Sequence, residues 1–138
     1  MSTNKYHWHR STARESFERL LKGANHWVCH GDFLNDWYRS DREDRLELVM
    51  DPLPEPSTQR EQQWAALFAA SVEQLCANDG LEAPAWTEQH KLAEPWFPTV
   101  KSENMKKLYQ EVTPLIYKKH NVFAGDKVLD KLCGKRSH

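Results

Sequence analysis

Thr58 to Gly80, TQREQQWAALFAASVEQLCANDG, limits the possible folds more than any other part of the chain. Thr58 and Glu61 have the spacing of a capping box, in which each side chain satisfies a backbone N–H at the start of a helix. Trp64, Leu67, Phe68, Ser71, Val72 and Leu75 then recur at helical spacing. Gly80 sits where a helix is terminated. Ala65, Ala66, Ala69 and Ala70 leave room for a neighbouring helix to pack closely. The segment therefore predicts a central core helix, around which the remaining elements must find their places.

Those elements also read as helices. Residues 1–11 are polar and expected to fray. From Ser11 or Thr12 a helix is expected, with Phe17, Leu20, Leu21 and Ala24 on one stripe and Trp27 and Val28 in phase. Cys29-His30-Gly31 reads as its exit, and Asp32 as the N-cap of a second helix carrying Phe33, Leu34, Trp37 and Tyr38. The alternating charges of Arg39–Glu47 read as a solvated helical face, whose ion pairs contribute about 0.2–0.5 kcal/mol each. Pro52, Pro54 and Pro56 make residues 51–57 a stiff connector that cannot continue a helix.

Beyond Gly80, Pro84, Pro95 and Pro98 interrupt the chain among Trp86, Trp96 and Phe97. This loop must either pack down as a plug or present a surface. A short helix is expected over 87–92. Ser102 reads as the cap of a helix through Met105, Leu108, Tyr109 and Val112. Thr113-Pro114 stops that helix and starts another, with Leu115, Ile116 and Tyr117 turned inward and Lys118, Lys119 and His120 at its end, where cations suit the helix dipole. Asn121 suits a left-handed turn. Gly125 or Asp126 then opens a last short helix through Val128, Leu129 and Leu132, closed by Gly134. With no alternating strand pattern, the expectation is an all-α, single-domain compact bundle of five to six helices over residues 1–138, with one Pro/Trp-rich loop.

Composition narrows the function. The chain has 39% hydrophobic and 28% charged residues and no run long enough to span a membrane. Six tryptophans can supply much of the core area. The N-terminus lacks the apolar segment of a secretory signal, and Cys29, Cys76 and Cys133 are too few and too scattered for a disulfide framework, so a reducing cytoplasm is expected. Residues 57–100 hold two basic and six acidic side chains, and residues 101–138 hold nine and four. The basic end could meet the acidic middle, an acidic partner or phosphates.

Catalytic motifs for nucleotide binding, zinc proteolysis and serine hydrolysis are absent from the sequence. His7, His9, Cys29 and His30 lack the spacing of a metal site, and solvated or hydrogen-bonded histidines are the expected reading. Asp41, Glu43 and Asp44 are interleaved with Arg39, Arg42 and Arg45, which favours a neutralised surface over acid–base chemistry. No enzyme, metal or cofactor is therefore expected. The candidate binding residues are Trp96 and Phe97 in the loop, with Tyr117, Lys118, Lys119, His120, Asn121 and Phe123 in the basic turn.

The order of these motifs resembles a known group. Gly80-Leu81-x-x-Pro84-x-Trp86, Pro95-Trp96-Phe97-Pro98 and Thr113-Pro114-x-x-Tyr117-Lys118-Lys119-x-Asn121-Val122-Phe123 resemble the C-terminal region of bacterial regulator or antitoxin-like proteins. In many of these the region follows a helix-turn-helix domain, and the genes lie beside those of nucleotidyltransferase-like or other toxin candidates. The resemblance covers residues 62–132. The group commonly has Phe-Arg-Arg where this chain has Tyr117-Lys118-Lys119, and residues 1–56 show no helix-turn-helix pattern. The resemblance implies a helical module that contacts a partner protein, such as a cognate toxin, without catalytic residues. Nucleic-acid binding by the basic C-terminal third is the alternative.

Overall fold

The structure is a computed structural model that describes residues 10–100 and 102–129. Among these residues the regular elements are helical: α1 (Ala13–Leu21), α2 (His26–Arg39), α3 (Arg42–Arg45), α4 (Gln59–Asn78), α5 (Glu103–Val112) and α6 (Leu115–Lys119). Short 3₁₀ turns follow α3 at Leu46–Leu48 and occupy Ala85–Gln89, where a short helix over 87–92 was expected. The fold is all-α, and among the described residues the only pairing of extended segments is an isolated parallel bridge between Trp96 and Val122.

α4 is the core helix its sequence predicts. The Thr58–Glu61 capping box is formed, and Gly80 ends the helix at φ +71°. Trp64 to Val72 lies buried without interruption, as do Leu75 and Cys76. One side meets α1 and α2, where Phe68 contacts Phe17, His30 and Phe33 ring to edge or ring to face. Another side meets α6 and the Ala85–Gln89 turn.

The first two helices divide differently from the expected pattern. Gly23 takes φ +106° and ends α1 early, a conformation that an L side chain rarely adopts. Asn25 then caps α2, its side chain accepting from Val28 N at 3.0 Å. Trp27, Val28 and Cys29-His30-Gly31 thus belong to the first half of α2, Val28 points outward, and Asp32 lies mid-helix in an ion pair with Arg19 at 2.7 Å. The charged run after α2 is also more than a solvated face. Arg45 stacks on Trp37, donates to the Trp37 carbonyl and pairs with Asp79 at 2.7 Å. Arg42 donates to the Asp79 carbonyl as well, so the two arginines clamp the C-terminal end of α4. No described helix is long and apolar enough to cross a membrane.

Candidate partner-binding face

The C-terminal third divides into a part that locks onto α4 and a part that faces outward. Pro114 sets φ −60° and ψ 150° ahead of α6. Thr113 does not cap α6, contrary to the sequence expectation. Its hydroxyl instead accepts from Gly125 N at 3.0 Å, which ties the end of α5 to the chain after the turn. Tyr117 is fully buried, and its hydroxyl lies 2.8 Å from Ser71 Oγ, which lies 2.8 Å from His30 Nε2. A continuous hydrogen-bonded chain thus joins α6, α4 and α2. Burial pushes the Tyr117 phenol well above its ordinary value and keeps it neutral.

Lys119 and His120 meet Glu73 of α4. Lys119 Nζ lies 2.8 Å from Glu73 Oε1 and 3.3 Å from Glu88 Oε2. His120 Nε2 lies 3.2 Å from the same Oε1, outside hydrogen-bond geometry, and its Nδ1–H donates to the His90 carbonyl at 2.6 Å. Burial raises the Glu73 carboxyl, but Lys119, Thr87 and His120 together outweigh it and hold the group below the usual carboxylate range. Glu88, fully exposed, is drawn down to about 2 by Lys91 and Lys119. The acidic middle and the basic end therefore do meet inside one molecule, at Glu73, Glu88 and Lys119.

After His120 the chain reverses through Asn121 at φ +64°, the left-handed turn its sequence suggests. The reversal brings Phe123 onto Phe97, stacked at 5.1 Å with 23° between the planes. Lys106 Nζ sits 5.6 Å over the Phe97 ring, a cation–π contact that ties α5 to the stack. Trp96 packs edge-on against Trp64 at 5.6 Å, while Trp86 is buried and donates its indole N–H to the Val49 carbonyl at 2.8 Å. The aromatic loop is thus plug and ledge at once: Trp86 seals the core, and Trp96, Phe97 and Phe123 are half-buried at its rim.

Of the binding residues expected from sequence, Tyr117 and His120 lie inside and not at the surface: both are buried, bonded to Ser71 and to the His90 carbonyl. Lys119 is engaged by two carboxylates, and Asn121 donates its side-chain amide to the Leu92 carbonyl at 2.8 Å. Trp96, Phe97, Phe123 and a partly exposed Lys118 remain at the surface. Leu115, expected to turn inward, is 80% exposed. It continues a stripe that Met105, Leu108 and Val112 begin on α5, a helix with no buried residue. Periodicity shows such a stripe but not what it faces. Glu73 was also missed, although a lone carboxylate inside the apolar run from Trp64 to Cys76 was the available signal. His7 and His9 lie outside the described residues. Among those described, no group of three or more His, Cys, Asp or Glu side chains converges as a metal set. The last expected helix is not formed as far as Leu129, where a bend at Asp126 and a turn at residues 128–129 stand instead, and Leu132 and Gly134 lie outside the described residues.

Comparison of the chain with family models, with curated proteins and with solved structures gives no match.

Proposed function

We propose that this protein is a non-enzymatic protein-binding module of the cytoplasm, the antitoxin-like or regulatory half of a toxin–antitoxin-like or phage-defence pair. The observation that carries the binding role is the outward face of α5: Met105, Leu108 and Val112 are exposed at helical spacing, and Leu115, just past Pro114, is exposed as well. A helix that buries none of its own residues contributes little to the core, and contiguous exposed apolar side chains mark interaction surfaces. The partner is a protein with an apolar strip of matching length, about two helical turns or roughly 10 Å, and an acidic group opposite Lys118, which forms no ion pair with the described residues. The antitoxin-like role rests on the motif resemblance at Pro95–Pro98 and Thr113–Phe123.

The test is co-expression with the product of the adjacent gene, followed by co-purification. Leu108→Asp with Leu115→Asp should abolish the complex while lowering folding stability by no more than about 1 kcal/mol, because Leu115 is largely exposed and Leu108 about half so. An unchanged complex in that variant would remove α5 from the interface. Binding to unrelated DNA or RNA sequences that weakens steeply with salt, and is lost in Lys118→Glu, would replace this reading with the nucleic-acid one.

A further inference from the structure

Glu73 stands where three separate segments meet. Its side chain is 6% exposed, Oε1 pairs with Lys119 and lies 3.2 Å from His120 Nε2, and Oε2 is buried with no hydrogen-bond partner among the described residues. Lys119 and His120 close α6, and the turn they open is what holds the loop over residues 90–97. Leu92 N donates to the His120 carbonyl at 3.1 Å, Trp96 N to the Asn121 carbonyl at 2.9 Å and Phe123 N to the Trp96 carbonyl at 2.8 Å. Residues 90–100 contain no helix of their own, so the loop takes its position from the turn together with the packing of Trp96 on Trp64.

We propose that Glu73 is a latch: its charge holds α6 and the turn over residues 120–123 against α4, and its loss lets residues 90–98 and 115–123 open together while α1, α2 and α4 stay folded. A buried carboxylate is tolerated only while its partners remain, and this one is already short of a partner on one oxygen. The groups facing it are Lys119 and His120 from α6 and its turn, Thr87 from the 3₁₀ turn and Cys76 one helical turn along α4, with Glu88 reached only through Lys119. His90 stands behind His120, and Lys91 pairs with Glu88. The Ser71–Tyr117 bond and the Trp64–Trp96 contact cross from the opening unit to α4 and break when it opens, whereas the Ser71–His30 bond and the contacts of Phe68 with Phe17 and Phe33 include no residue of that unit. The Phe97–Phe123 stack lies at the end of that unit, so latch and ledge form or dissolve together. The inference does not depend on the identity of a partner.

The experiment is amide hydrogen exchange on the full chain, wild type against Glu73→Gln, at neutral pH. The expected result is exchange faster by about tenfold or more at Leu92, Trp96, Val122 and Phe123, with α1, α2 and α4 amides unchanged. Lys119→Met, which strips Glu73 of its cation, should accelerate the same amides. Should Glu73→Gln fail to fold, protection factors of the wild type at successively lower pH give the same comparison. Exchange that rises equally in α4 would show that the molecule opens as one unit and would overturn the latch. Unchanged exchange at the four amides would overturn it as well.

Discussion

Gly125 has φ +85°, and a Cβ built there would lie 2.9 Å from Tyr109 Cε2. Both the backbone and the neighbouring ring therefore select glycine. Gly125→Ala should cost about 1–3 kcal/mol in urea denaturation, and a neutral result would mean that α5 and the turn are not held together there. Tyr117 makes a different kind of contribution. Tyr117→Phe keeps the packing but leaves Ser71 with His30 alone, an expected loss of about 1–2 kcal/mol. Both buried cysteines behave as small apolar side chains, with burial raising each thiol and Cys76 reaching about 11, so slow modification by thiol reagents in the native state is expected.

Helices α4 and α5 have the same kind of start and opposite tertiary roles. Thr58 accepts from Glu61 N at 3.1 Å, and Ser102 accepts from Met105 N at 3.2 Å. Thr58→Ala should lower global stability by about 1 kcal/mol, since the core hangs on α4. Ser102→Ala should loosen α5, seen as faster exchange of its amides, with the melting transition nearly unchanged. Equal effects on melting would show that α5 is an integral part of the core. Both caps were legible in the sequence because a cap is a contact within four residues. The boundary between α1 and α2 was not, because the apolar stripe runs on past Gly23, whose left-handed backbone ends α1. Asn25, two residues later, was the local cue that went unread.

For the molecule as a whole, part of the response to acid should come from Glu73. Its folded-state value lies below the ordinary one, so the stabilisation it provides is present above the usual carboxylate range and is lost as pH falls through the lowered value. The midpoint of urea unfolding should therefore drop as pH falls below about 4.5, and the Glu73→Gln variant should show a flatter dependence. Equal slopes would assign the acid sensitivity to other carboxylates. By itself, the sequence determined the all-α class, the capped and buried α4, the stop at Gly80 and the left-handed turn at Asn121. Each of these is set by near neighbours or by the 3.6-residue period. The tertiary structure alone decided that His120 points inward, that Lys119 is engaged by Glu73 and Glu88, and that Met105, Leu108, Val112 and Leu115 face outward. An amphipathic stripe has the same period whether it meets the core or a partner, and a lysine reads as free until the chain brings a carboxylate to it from 46 residues away.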